Sequence, residues 1–309
     1  MTLEQVTGQA ATPPPPSFPG VLLSWHFDPL VVVGLLAVGL LYGAGLRRLA
    51  AAGRPWPARR TWAFYGGLGV IALALLSPVA TYDVAVFSVH VGQHMVLTMF
   101  APPLLALGAP ITLALLATST PVRKRIVRVV HSAPLRVLGH PLLAWVLFTG
   151  SLYALYYSPL FGLSLRNSFV HAFVHLHFLL AGLLFWWPIV GVDPTRWRLH
   201  PAARLGYLFL MLPFHAFLGV AILNSEALLD PVMLQFAPSW LHVLADQRAG
   251  GGVLWGAGDL ISVVAALGIM SAWANQDEKQ AAREDRRLER ERSAAGPLRP
   301  ARPGQQRQP

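Results

Sequence analysis

Residues 168–190 have the sequence SFVHAFVHLHFLLAGLLFWWPIV, which contains no Asp, Glu, Lys or Arg. A helix needs about 20 mostly apolar residues to cross the hydrocarbon core of a bilayer. The run therefore predicts a membrane-spanning helix over 168–190. Its histidines lie near one end, and an ionisable group within a membrane helix is costly enough that it usually has a function.

Six further runs of this kind are found along the chain, and together they predict a seven-helix bundle. They cover 29–46, 62–80, 86–107, 142–157, 205–223 and 253–273. The chain is 54% hydrophobic and only 12% charged, against about 25% charged residues in soluble domains. We therefore predict an all-α integral membrane protein. The stretch 111–117 is too short to cross, and we interpret it as the end of the third helix beyond a kink at Pro102–Pro103, or as an interfacial turn.

Basic and nearly uncharged connections alternate between these runs. The basic connections hold Arg47, Arg48, Arg54, Arg59 and Arg60, then Arg123, Lys124, Arg125, Arg128 and Arg136, then Arg196, Arg198 and Arg204. Between the first two of these groups, the loop 81–85 has Asp83 as its single charge. Cytoplasmic loops carry an excess of Lys and Arg. The pattern predicts a multi-pass protein of the inner (plasma) membrane, with its N-terminus outside and its C-terminus in the cytoplasm.

The chain is expected to have three parts. A Pro-rich outer tail covers 1–23, the seven-helix transmembrane domain covers 24–275, and a charged cytoplasmic tail covers 276–309. Glu–Arg pairs predict that the last helix extends into the cytoplasm through about Arg292. The rest of the tail is predicted to be disordered because it has too few apolar residues to form a core.

The charge distribution and the absence of cysteine limit the partners and the metal ligands that the chain can have. The net charge of +10 lies in short clusters beside apolar runs and in the tail, which suits the lipid bilayer and excludes nucleic acid as a partner. The chain has no cysteine, so a transition metal must be held by His, Met, Asp or Glu. No phosphate-binding loop or nucleophile motif occurs. We expect a protein that is not an enzyme.

Eight of the 11 histidines fall on the predicted outer face or the outer half of a helix. His90 and His94 are four residues apart, as are His171 and His175, so each pair shares one face of its helix. Two such pairs on neighbouring helices could converge on one metal ion or on a close pair of ions. The alternative is that each histidine makes only a polar contact between helices.

Other polar residues near these pairs have two possible roles each. His242 lies in the last predicted outer loop beside Asp246, which could position a ligand histidine or cap the last helix. Asp28 could orient His26 or cap the first helix. His215 falls near the middle of the sixth predicted helix.

The sequence also resembles a known family, the CtaG family of multi-span bacterial cytochrome c oxidase (caa3-type) assembly factors. The resemblance covers about residues 24–275 and is most specific over 90–110. The matching residues are Trp25-His26-Phe27-Asp28-Pro29, Arg60 with Ala63-Phe64-Tyr65-Gly66-Gly67, Ser77-Pro78, Ser88-Val89-His90-Val91-Gly92-Gln93-His94-Met95, Pro102-Pro103-Leu104-Leu105 with Gly108 and Pro110, His171, His175, Phe185-Trp186-Trp187-Pro188 and Asp246-Gln247.

The resemblance implies a role in producing active haem–copper oxidase, with copper as the metal and cytochrome c oxidase subunits as partners. It points to His90, His94, His171 and His175 as copper ligands. Four further residues are implied less directly, namely His26, His215, His242 and Asp246. The chain has Leu254-Trp255 where the resemblance predicts a Met beside the Trp, so any role of that Met is lost here.

Three functions compete at this point. The first is a non-enzymatic assembly factor that binds copper on the outer side and passes it to an oxidase subunit. The second is a membrane haem protein for electron transfer, with histidines of two helices as axial ligands. The third is a copper permease, which needs a polar path through the whole bilayer, and the inner halves of the predicted helices offer little of this.

Overall fold

The computed structural model describes residues 13–17, 24–194 and 197–295, and every regular element in those ranges is helical. The elements are α1 (Pro29–Ala51), α2 (Ala58–Leu76), α3 (Pro78–Tyr82), α4 (Phe87–Met95), the π-helical turn π1 (Val96–Phe100), α5 (Ala101–Leu107), α6 (Pro110–Ala117), α7 (Thr120–Val130), α8 (Ala133–Leu138), α9 (Pro141–Tyr156), α10 (Leu160–Arg166), α11 (Ser168–Val190), α12 (Pro201–Leu223), α13 (Met233–Phe236) and α14 (Val243–Ala295). The prediction of an all-α protein is confirmed for this part of the chain.

Six helical segments of the described chain are long and apolar enough to cross a membrane. They are Pro29–Ala51, Ala58–Tyr82, Phe87–Ala117, Ser168–Val190, Pro201–Leu223 and Val243–Glu291. Helices α9 and α10 meet this criterion only as a pair, and the chain bends by 73° between them. The predicted crossing over 142–157 falls on α9. Seven crossings and the orientation of the bundle therefore stay predictions.

The spans that carry the paired histidines form the interior of the first compact unit, Met1–Val264. In Phe87–Ala117 and in Ser168–Val190, 44% of the most apolar window is buried, against 6% in Pro29–Ala51. Helix α5 packs against both α2 and α11, and π1 also contacts α11. Helix α1 is thus peripheral, while the two histidine-bearing spans pack against each other.

The irregular turn in the third span precedes the prolines at which a kink was predicted. Pro102 and Pro103 have no N–H, so the carbonyl of Thr98 lacks a backbone donor both four and five residues later. The chain adopts the wider π-helical turn over Val96–Phe100. The indole Nε1 of Trp186 in α11 donates to the Thr98 carbonyl at 3.1 Å. A side chain of a neighbouring helix therefore replaces the hydrogen bond that the prolines remove.

The stretch 111–117 lies in a separate short helix, α6, after a break at Gly108 and Ala109. Ala109 has a φ of 49°, in the left-handed region that non-glycine residues rarely occupy. The carboxylate of Asp193, which follows α11, accepts hydrogen bonds from the backbone N of Ile111 at 3.2 Å and of Thr112 at 2.7 Å. Burial raises the pKa of Asp193, and these hydrogen bonds oppose the rise.

The last helix begins at Val243, ten residues before the predicted start at 253. The helix runs through the three glycines 250–252, two of which pack closely against other parts of the chain. A Cβ on Gly250 would overlap the ring of Phe87, and a Cβ on Gly251 would lie 2.5 Å from the backbone N of Leu223. Small residues allow membrane helices to approach in this way.

The second compact unit comprises Ala265–Pro309, and its described part is the C-terminal stretch of α14. Helix α14 continues through Ala295, as the Glu–Arg pattern predicted. Arg287 Nε donates to Glu291 Oε1 at 2.8 Å, an i,i+4 ion pair. The predicted disorder after this helix falls on 296–309, which lies outside the described residues, as do 1–12 and 18–23 of the predicted outer tail.

The glycine run provides a matched test of this packing. Gly250→Ala should lower the free energy of unfolding by about 1–3 kcal/mol, because its methyl group overlaps Phe87. Gly252→Ala should leave stability unchanged or raise it by up to ~1 kcal/mol, because no atom lies within 4 Å of its Cβ position. Thermal unfolding in detergent, followed by circular dichroism, measures both. Equal shifts in the two variants would contradict the packing described here.

Candidate metal centre

The two histidine pairs meet, as the sequence predicted. Within the pairs, the ring centroids are 4.1 Å apart for His90 and His94 and 4.3 Å apart for His171 and His175. Between the helices, the His90–His171 and His94–His175 centroids are each 5.4 Å apart. Four imidazoles from α4 and α11 therefore form one cluster, which we call the histidine cluster.

The cluster is closed off from solvent. His90 and His94 are each 1% exposed and His171 is 6% exposed, while His175 is partly buried. The ring of Phe178 lies edge-on to His94, with the centroids 4.7 Å apart. Water therefore has little access to the imidazole nitrogens.

Most of these nitrogens lack a hydrogen-bond partner in the described structure. This holds for both ring nitrogens of His90 and for Nε2 of His94, His171 and His175. The hydroxyl of Tyr156 lies 3.3 Å from His94 Nδ1. A buried polar group without a partner costs about 1–3 kcal/mol. Converging imidazole nitrogens without partners are the donor set that a transition-metal ion would satisfy.

Two sets of three ligand atoms are already close enough to suggest metal positions. One set comes from His90, His94 and His171, and the other from Asp83, His171 and His175. In each set, all atoms lie within 4.8 Å of one another. Ligand nitrogens bind transition metals at about 2.0–2.1 Å, so two ligands of one ion lie within ~4 Å of each other. Small side-chain rotations would complete either site.

Asp83 is a further candidate ligand, and in the sequence it was apparent only as the single charge of its loop. Asp83 Oδ2 lies 3.7 Å from His171 Nε2, and the residue is 6% exposed. Burial raises its pKa to about 7, although hydrogen bonds with Gln93 and the backbone of Val84 oppose the rise. The available signal was a lone acid just before the helix that carries His90.

Asp246 lies in the first turn of α14, but its carboxylate caps the N-terminus of α4. Its Oδ2 accepts from the backbone N of Phe87 at 2.6 Å, and its Oδ1 accepts from the backbone N of Ser88 at 3.3 Å and from the Ser88 hydroxyl. Negative charge at a helix N-terminus is stabilising. Asp246 therefore anchors the helix that presents His90 and His94, and neither ligand set includes it.

The remaining predicted ligands lie outside both sets. His26 and His242 are exposed. Asp28 caps α1 through its Oδ1, which accepts from the backbone N of Leu30 at 2.8 Å and of Val31 at 3.1 Å. Of the two roles considered for Asp28, helix capping is the one that the structure shows.

His215 is buried, and neither ligand set includes it. Its ring stacks on Phe148 with the centroids 5.7 Å apart, and neither of its nitrogens has a hydrogen-bond partner in the described structure. His215 Nδ1 would lie 2.7 Å from a Cβ on Gly258. The structure thus places His215 beside α14, in a setting different from that of the histidine cluster.

Comparison with known proteins gives one family and several relatives. A family model described as the cytochrome c oxidase caa3 assembly factor matches residues 40–276. An uncharacterized protein of Mycobacterium leprae is 38% identical over 283 residues, and uncharacterized proteins of Mycobacterium bovis and Mycobacterium tuberculosis are each 37% identical over the same length. Each alignment covers 89% of this chain but only 43% of the relative. No solved structure matches the chain.

The two capping aspartates give a matched test of how α4 is anchored. Asp246→Asn should lower the free energy of unfolding by about 1–2 kcal/mol, because both carboxylate oxygens accept hydrogen bonds and an amide keeps only one acceptor. Asp28→Asn should change it little, because one oxygen accepts both bonds there. Thermal unfolding of the two variants in detergent measures the difference. An Asp246→Asn protein as stable as Asp28→Asn would show that the cap does not hold α4.

Proposed function

Because the chain belongs to the cytochrome c oxidase caa3 assembly factor family, we propose that it binds copper at the histidine cluster and passes it to an oxidase subunit. The observation that supports this best is the meeting of His90, His94, His171 and His175 with most of their nitrogens lacking partners. Copper is one of the transition metals for which imidazole is a suitable ligand. The protein is then a non-enzymatic factor whose cargo is the metal ion.

Membership of this family and the long apolar helices together favour a membrane location for the protein, and thus for its histidine cluster. We propose seven crossings, in which the bent pair α9–α10 forms the fourth and the basic connections lie in the cytoplasm. This arrangement makes the chain a multi-pass protein of the plasma membrane. It places Asp83 and the N-terminal ends of α4 and α11 at the outer side. Copper would then be bound and released on the outer side.

The alternative of a haem protein is disfavoured by the space around the rings. A haem must lie between its two axial imidazoles, but the rings of α4 and α11 are in direct van der Waals range of each other. The cavity that reaches His90 has a volume of about 10 Å³, roughly the space of one water molecule. A macrocycle would require the two helices to separate.

Removing one histidine pair tests the proposal. The full-length chain in detergent, incubated with copper and freed of excess metal, should retain copper, and His90→Ala with His94→Ala should lose at least one ion per chain. Each metal position formed by these residues needs several imidazoles, so a cluster with half of them should bind far more weakly. Elemental analysis measures the stoichiometry, and an absorption spectrum reports any Soret band.

The matched control is His131→Ala with His177→Ala, which also removes two imidazoles. His131 is exposed beyond α7, and His177 lies on α11 but stacks with Phe173 and Phe178 outside the cluster. The control should bind as much copper as the wild type. Unchanged copper in the His90/His94 variant, or a Soret band in the wild type, would contradict the proposal.

A further inference from the structure

His171 belongs to both sets of potential ligands, and Asp83 completes the set that lies nearer the helix ends. We propose that the centre holds two ions in positions that share His171, which gives up its ring proton to solvent and binds one ion through each ring nitrogen, and that the position containing Asp83 is the one through which copper enters and leaves. This inference rests on the proposed function, since it assigns two binding positions within the same cluster.

The two positions differ in burial, because Asp83, His171 and His175 are less deeply buried than His90 and His94. Asp83 belongs to the connection between α3 and α4, whereas His94 lies two turns into α4 and is covered by Tyr156 and Phe178. We call the Asp83–His171–His175 set the outer position and the His90–His94–His171 set the inner position. An ion arriving from the connection meets the outer position first, and His171 links it to the inner one.

A small cavity lies beside one residue of each position, Asp83 and His90. It is lined by three residues of the connection, Asp83, Val84 and Ala85, and by Met233 of α13 together with His90. Its volume of about 10 Å³ fits one small ion or one water molecule. The cavity therefore offers room for one ion beside Asp83 and His90.

The charge of Asp83 also favours a cation at the outer position. The residue pairs of opposite charge in the described part of the chain are His171 with Asp83 and Arg287 with Glu291. No Lys or Arg there neutralises the buried carboxylate, and an uncompensated buried charge is costly. A bound copper ion supplies the missing positive charge, while the imidazoles supply the remaining ligands.

The two positions should also differ in the strength with which they hold copper. A carboxylate is a harder ligand than imidazole, so a set with one oxygen and two nitrogens differs in preference from a set with three nitrogens. The inner position has ligands from imidazole alone and is shielded by aromatic rings. The outer position is thus the exchangeable one, and the inner position retains its ion longer.

Titration of the full-length chain in detergent with copper(II) sulfate tests the two positions. The wild type should bind two ions per chain, Asp83→Asn one, and His171→Ala at least tenfold more weakly at both positions. Asp230→Asn is the matched control. Asp230 is a partly buried acid whose Oδ1 accepts a hydrogen bond from the backbone N of Val232, and the control variant should bind two ions. Asp83→Glu keeps a carboxylate and should also bind two.

Electron paramagnetic resonance adds a measurement that does not depend on any variant folding. Two Cu(II) ions that share a ligand couple magnetically, so the fully loaded wild type should show much less signal than its copper content predicts. Asp83→Asn should show the full signal of an isolated ion. One copper per wild-type chain, or two in a folded Asp83→Asn protein, would overturn the inference and leave the proposed function standing. A wild type that binds no copper would instead overturn the proposed function.

Discussion

The alignment of the two histidine pairs depends on a close approach between the backbone of π1 and α11. A Cβ on Gly182 would lie 2.7 Å from the carbonyl oxygen of Thr98, so a side chain at this position would push the helices apart. Trp186 strengthens the same contact by donating to that carbonyl. Thr98 lies one turn beyond His94, and Gly182 lies two turns beyond His175. The contact therefore holds α11 close to the third span within two turns of the rings, which touch each other.

The parts of the centre that follow local geometry could be predicted from the sequence. Residues four apart share a helix face wherever the helix packs, so the composition of each pair needed no knowledge of the fold. The ends of α11 were also predictable. The side chain of Asn167 accepts hydrogen bonds from the first turn, and Gly191 ends the helix with a φ of 60°. Both signals lie within a few residues of the ends that they determine.

The roles of the acidic residues could not be predicted, because they depend on contacts between distant parts of the chain. Asp246 caps a helix 158–159 residues earlier, and no spacing rule links these positions. Asp83 became a candidate ligand only when α11 brought His171 within 3.7 Å of it. The start of the last helix was predicted ten residues too late for the same reason. Glycine lowers helix propensity, but here α14 needs residues without side chains to pack against Phe87 and α12.

The proposed function requires that the protein release its ion as well as bind it, and the surroundings of the histidine cluster suit both steps. The described structure holds the rings together although most of their nitrogens lack partners, so packing elsewhere offsets that cost and little ordering is needed on binding. Tyr156 and Asp83 nevertheless contact two of these rings when no ion is bound, since the Tyr156 hydroxyl lies 3.3 Å from His94 Nδ1 and Asp83 Oδ2 lies 3.7 Å from His171 Nε2. Each such contact stabilises the cluster when it is empty. A smaller free-energy difference between the loaded and empty states weakens binding enough for the ion to be transferred. A site for a permanently bound cofactor would need a larger difference.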